Sequence, residues 1–329
     1  MNAKVPGWIG IVAIGFAACG GALAQWKPTK TVEIVIASSA GAGTDRTGRW
    51  IQKLLSEKKL VDVPSTVVNK PGGATVVALT YLNQFTGDGH HFLVIASPIV
   101  TSHIIGRSPF TPADLSPLAI LGTEAIAFSV RADSPIKTAK DLAERLKSDA
   151  LSVGFANSLG NQNHLAVAKV VQRLGGNVKG MKAVVFNGSG DATTALLGGH
   201  IDLSVSSGSA VLPHVAAGRM RTIAVSGDQR IGGALAAVPT WKELGIDAVT
   251  TNWRSAVGPK GMTEEQINYW NDAFARLVQL PEWKEDMEKL LVTNLYLNSR
   301  DTRRFLDAEY AAYSSFLTEV GLAKKAQQP

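Results

Sequence analysis

The sequence predicts an α/β fold arranged as two lobes. Short apolar runs alternate with amphipathic helical patterns, which argues for α/β layers with mainly parallel sheets. Residues 32–55, VEIVIASSAGAGTDRTGRWIQKLL, pass from a β-branched run through a Ser/Ala/Gly turn into a helical repeat of Trp50, Ile51, Leu54 and Leu55. The 329 residues, even without an N-terminal leader, exceed one typical domain.

The leader comes first. Lys4 supplies a basic start, residues 8–18 (WIGIVAIGFAA) an apolar run of 11, and Ala22-Leu23-Ala24 an A-x-A cleavage site. This predicts a signal peptide over residues 1–24, a mature chain beginning at Gln25 and export to the periplasm. The apolar run falls short of the ~20 residues that span a bilayer. Cys19 is the only cysteine and lies inside the leader. The alternative is an acylated Cys19, because Phe16-Ala17-Ala18-Cys19 loosely resembles a lipoprotein box. With cleavage after Ala24 the mature protein carries no thiol.

The formal charge of +6 drops by one when Lys4 leaves. A mild basic balance suits anionic ligands. The cations are spread along the chain without a Lys/Arg block or interleaved aromatics, which excludes a nucleic-acid partner.

The expected strands follow in order at 32–37, 66–69, 92–96, 119–121, 126–130, 151–155, 183–186, 201–205 and 222–225. Helices lie between and after them. One opens at Thr44. One covers 138–147, with Thr138 and Asp141 at capping-box spacing. One covers 165–174, with Leu165, Ala168, Val171 and Leu174 at every third position. Residues 264–280 place Ile267, Trp270, Phe274 and Leu277 on one face behind a Thr263/Gln266 capping box. Residues 301–320 keep Phe305, Leu306, Tyr310, Tyr313, Leu317 and Val320 in register. The last 70 residues read as almost entirely helical, and helices in that position are expected to return to the first lobe.

The candidate site residues sit where strands end and helices begin. Ser38, Ser39, Ala40, Gly41, Ala42, Gly43 and Thr44 form a turn whose free N–H groups, at the positive end of a helix dipole, make an anion site. Asp45 would repel an anion if it faced that site, so it reads as a first-turn dipole partner or as an acceptor for a donor group on the ligand. Arg46 and Arg49 read as solvated helix charges. Ser97 and Thr101 follow a strand at the edge where open α/β sheets bind ligands. In the second lobe Asn157, Ser158, Gly160, Asn161, Asn163 and His164 belong to a polar loop that opens a helix. Asn187, Ser206 and Ser207 stand at two more strand ends. Arg254 is a candidate for bidentate pairing with a carboxylate or for a hinge salt bridge.

Catalytic and cofactor patterns are missing. Gly41, Gly43 and Gly48 give G-x-G-x4-G instead of the dinucleotide fingerprint, no GK[ST] follows, and no G-x-S-x-G elbow occurs. His90-His91 has no Glu at a metal spacing. The expectation is a non-enzyme with no cofactor and no metal.

Several motifs in order resemble one family, the substrate-binding proteins of tripartite tricarboxylate transporters, called Bug or TctC. They are IVIASSAGAGTDRTGR (34–49), NKPGGATVVA (69–78), GDGHHFLVIASP (87–98), VRADSPIKTAKDL (130–142), VVFNGSGDATTALLGGHIDL (184–203), LPHVAAGRMRTIAVSGDQR (212–230) and VPTWKELGIDAV (238–249). Asp45 and Arg49 match family residues, and Arg46 does not. The resemblance implies a type II periplasmic-binding-protein fold. Its two α/β lobes, 25–124 plus 251–329 and 125–250, would be joined by two crossing strands near 124–128 and 250–256. It implies a monomeric receptor for a small di- or tricarboxylate or aromatic acid, working with membrane permease subunits. The alternatives are a sensory module that presents its ligand to a membrane kinase, and an exported enzyme on the same fold. Many relatives carry Tyr-Lys-Gly near Asn187 and an Asp at Ser206. The neutral residues here favour a more anionic ligand over an amino acid.

Overall fold

The computed structural model describes residue 1 and residues 26–148, 151–156, 159–186 and 188–324. The leader with its cleavage site and Cys19, together with Asn157, Ser158 and Asn187, lies outside the described residues. The elements are β1 (Val32–Ile36), α1 (Gly43–Glu57), β2 (Ser65–Asn69), α2 (Val76–Asn83), β3 (His91–Ile95), α3 (Pro98–Ile104), β4 (Leu115–Arg131), α4 (Ala139–Lys147), β5 (Ser152–Ala156), α5 (Gln162–Arg173), β6 (Lys182–Phe186), α6 (Ser189–Leu197), β7 (Leu203–Ser207), α7 (Gly208–Ala216), β8 (Met220–Val225), β9 (Thr251–Pro259), α8 (Glu264–Leu277), α9 (Pro281–Lys289) and α10 (Ser299–Glu319).

One sheet runs β2-β1-β3-β9-β4-β7-β5-β6, with β8 also on β4. β4 joins its two halves. Through Ala125 it pairs with β9, and from Ile126 it pairs with β7 and β8. The sequence divides this strand into 119–121 and 126–130, because Gly122-Thr123-Glu124 interrupts the apolar run. The structure keeps it continuous over 17 residues. The buried Glu124 is accommodated because Arg254 and Ser209 donate to it.

The sheet is mixed, where the alternation argued for mainly parallel pairing. β1 with β2 and β3, and β5 with β6 and β7, are parallel. Every pairing of β4 and β9 is antiparallel, because these two strands run between the halves instead of winding within one.

The terminal helices return to the first sheet half. Phe92 of β3 meets Trp270 and Phe274 of α8 edge-on at ring separations of 4.9 and 5.5 Å. Leu306, Tyr313 and Leu317 of α10 join the buried cluster that holds Ile99 and Val100 of α3. The capping boxes at Thr138/Asp141 and Thr263/Gln266 form as the spacing requires. α5 starts at Gln162, three residues before its apolar repeat, because the Asn161 side chain caps it. Among the described residues no helix is long and apolar enough to cross a membrane.

Candidate functional site

A cavity of about 820 Å³ opens between the two sheet halves. Its wall takes Ser38, Ser39, Gly41, Ala42, Gly43 and Thr44 from the turn after β1, and Asn161 and Asn163 from the turn before α5. Ser207 and Arg254 also line it. The two amide-rich turns therefore share one space.

The α1 turn is built to leave donors free. Gly41 sits at φ +83°, a left-handed conformation that glycine adopts without steric cost. Among the described residues no side chain caps α1. The first N–H groups of the helix therefore remain for another acceptor. The Ser38 and Thr44 hydroxyls lie 2.6 Å apart and tie the turn across its mouth.

Asp45 is a positioning residue, and it does not line the cavity. Its carboxylate accepts from Gly41 N–H at 2.8 Å, from Arg49 Nε at 3.0 Å and from Asn69 Nδ2 at 2.8 Å. Burial pushes the Asp45 carboxyl up, and the donors from Arg49, Gly41 and Asn69 outweigh it and hold it below the ordinary carboxylate value. It stays charged and shapes the turn from behind.

The second half contributes three more helix starts. At α5, Asn161 Oδ1 accepts from His164 N–H at 3.0 Å, and Asn161 Nδ2 donates to Ala156 O. His164 is buried and faces away from the cavity, with its Nδ1 accepting from Gly160 N–H at 2.9 Å. Burial pushes its imidazole down to about 4, so it is neutral. Gly160 also stands outside the wall, and a Cβ there would come within 2.9 Å of Ile105 Cδ1. At α6, Gly188, Ser189 and Gly190 line the cavity, and among the described residues no side chain caps the helix. At α7 the position is taken: Glu124 Oε1 accepts from Ser209 N–H at 3.2 Å and from Ser209 Oγ at 2.8 Å.

Four more expected residues lie outside the wall. Ala40 is exposed beside it. Ser97, Thr101 and Ser206 are buried, Ser97 and Ser206 completely. Ser206 faces the sheet interior, because neighbouring residues in a strand point to opposite sides and Ser207 takes the cavity side. The selectivity argument from Ser206 therefore loses its footing. Arg254 stands where the cavity meets the β4 crossing. It lines the cavity, and a single nitrogen, Nη2, donates to Glu124 Oε2 at 3.2 Å.

The structure adds lining residues outside the expected contact set. Arg46 lines the cavity, against its reading as a solvated helix charge, and so does Arg107 from the turn after α3. Gln162, Asn252 and Thr75 line it as well. Thr75 Oγ1 and Gln162 Nε2 are buried with no partner among the described residues. Thr75 sits at φ +82°, a strained conformation for a β-branched residue. Among the described residues the wall contains three arginines and no Asp, Glu, Lys or His.

Two α/β sheet halves flanking a cationic, amide-lined cavity define a solute-binding protein. The chain belongs to the tripartite tricarboxylate transporter family receptors (TctC), whose family model matches residues 49–322. It is 28% identical over 316 residues to the UPF0065 protein in the gbd 5′ region of Cupriavidus necator, covering 95% of this chain and 94% of that one. A TctC solute binding protein from Polaromonas has a TM-score of 0.73 at 28% identity, over 89% of this chain and 99% of that one. A protein of R. palustris solved with adipate has a TM-score of 0.79 at 23% identity, over 90% of this chain and 99% of that one, a likeness of fold. The homologues and neighbours are solute-binding receptors, in keeping with a non-enzyme. The family fits a periplasmic location.

Proposed function

We propose that this chain is an exported receptor that captures a small organic carboxylate between two lobes, residues 25–124 plus 251–329 and residues 125–250. It delivers the ligand to membrane permease subunits of the tripartite tricarboxylate type. One observation carries this reading: among the described residues, the uncapped starts of α1 and α6, the start of α5 and three arginines line one cavity with no acidic side chain in its wall. Helix N-termini and arginines are the groups that hold carboxylates. The adipate in the R. palustris neighbour is a ligand of that class.

Contacts come from Ser38, Ser39, the amides of 41–44, Asn161, Asn163, Ser189, Ser207 and Arg254, directly or through water. The open form dominates without ligand. A carboxylate touching both lobes favours closure about the β4 and β9 crossings. Signal cleavage after Ala24 releases the mature chain into the periplasm, where it acts as a monomer.

The test is a thermal-shift screen of the purified protein against a panel of carboxylates. A ligand at one hundred times its Kd adds ~2.7 kcal/mol to stability and raises the melting temperature. A panel of aliphatic and aromatic acids that leaves the melting temperature unchanged refutes the reading.

A further inference from the structure

We propose that the cavity selects ligands carrying two separated anionic groups, and that Arg46 and Arg107 impose the demand for the second charge. This rests on the carboxylate reading above.

Both guanidinium-bearing residues line the cavity and are exposed to it. Neither has an ion pair or a side-chain hydrogen bond among the described residues. The third arginine of the wall, Arg254, already donates to Glu124. Two cationic charges therefore face the cavity without compensation, and among its described residues the wall offers no carboxylate to balance them.

Their placement is also informative. Arg46 is the fourth residue of α1, at the end of the helix where the dipole is positive. A cation there is disfavoured, since basic side chains are stabilising at the opposite end. Arg107 lies in the turn after α3, and its N–H donates to Ser102 O at 2.8 Å. Two residues earlier, Ile105 Cδ1 lies 2.9 Å from where a Cβ on Gly160 would sit. The Arg107 turn thus borders the turn that opens α5. Both arginines belong to the first sheet half, but one stands by the α1 amides and the other beside the α5 turn of the second half. Each end of the cavity concentrates positive potential. A monoanion relieves one end and leaves the other repelling itself, whereas a dianion relieves both. Such a local conflict between charge and dipole marks a site where function outweighs stability.

The experiment uses matched acids that differ by one carboxylate: succinate with butyrate, adipate with hexanoate, and terephthalate with benzoate. Each is titrated calorimetrically into the wild-type protein and into an Arg46→Gln, Arg107→Gln double variant whose fold is checked by circular dichroism. The expected result is a diacid bound roughly tenfold or more tighter than its monoacid partner. In the double variant the gap shrinks to less than about threefold, through loss of diacid affinity. The Lys versions, Arg46→Lys with Arg107→Lys, keep most of the gap. A monoacid that binds as tightly as its diacid overturns this inference and leaves the carboxylate reading standing. A gap that survives in the folded Gln variant also overturns it. Failure of all six acids to bind the wild type removes the carboxylate reading and this inference with it.

Discussion

The buried Glu124 carboxylate accepts from Arg254 Nη2 at 3.2 Å, at the point where β4 passes from one sheet half to the other. Its second oxygen accepts two hydrogen bonds from Ser209 at the start of α7. The Glu124 carboxylate thus occupies the start of α7, while among the described residues no side chain caps α1 or α6. Both partners are buried, so losing either leaves an unbalanced charge. Glu124→Ala should destabilise the protein by about 3 kcal/mol, read from urea unfolding. Glu124→Gln should cost less, because its amide oxygen still accepts from Ser209. Equal stability of Glu124→Ala and wild type would show that the pair does not hold the crossing together.

The turn after β1 was legible because residue type alone encodes its shape: Gly41 permits a left-handed backbone, and small side chains leave amides open. Side-chain direction was less legible. Asp45 and His164 stand at helix starts like their cavity-lining neighbours, yet they brace the turns, Asp45 through the distant Asn69 and His164 through Gly160 N–H of its own turn. Ser206 and Ser207 are separable by strand alternation alone, a signal the motif reading passed over. The burial of Thr47, Gly48, Ile51, Leu54 and Leu55 fixes the orientation of α1, and Arg46 then falls at the cavity. Arg107 sits in a turn with no motif around it, and its place at the site shows only in the fold, where Ile105 approaches Gly160.

Two glycines of α1 should respond oppositely to a methyl group. A Cβ on Gly48 would collide with the Ile36 side chain inside the core. Gly48→Ala is expected to cost about 1–3 kcal/mol through overpacking. A Cβ on Gly43 would lie 3.0 Å from Arg254 Nη2, the movable end of a long side chain. Gly43→Ala should keep full stability, since alanine suits a helix better. Its carboxylate affinity should drop roughly tenfold as Arg254 shifts and the amide turn narrows. Unfolding curves and calorimetric titration of the two variants separate these effects.

Thr75 combines a φ of +82° with a hydroxyl buried in the cavity wall and without a partner among the described residues. The left-handed backbone costs a branched residue ~1–2 kcal/mol. Glycine removes that strain at an entropic cost of about 0.5–1 kcal/mol. Thr75→Gly should therefore unfold at the same or a higher urea concentration than wild type. If the strain serves the site, the same variant binds carboxylates more weakly. Weaker stability with unchanged affinity would make Thr75 a packing residue only.

His164 gives the protein a defined acid sensitivity. Burial holds its imidazole at about 4 in the fold, against an ordinary value of ~6.5 in the unfolded chain. Above ~6.5 both states are neutral and this group adds no slope. As the pH falls below that value the unfolded chain takes up a proton that the folded chain refuses, so stability is lost down to about 4, by about 3 kcal/mol in all. Protonation of Nδ1 also ends its acceptance from Gly160 N–H, the bond that fixes the turn before α5. In the folded protein that protonation sets in only as the pH nears about 4, so ligand affinity should hold down to that value and fall below it. Melting temperatures of wild type and His164→Gln, taken between pH ~7 and ~4, isolate the contribution from the titrating carboxylates. The wild type should lose more stability than the variant across that span. Parallel curves would mean that His164 does not titrate with unfolding and that the α5 turn is held by other contacts.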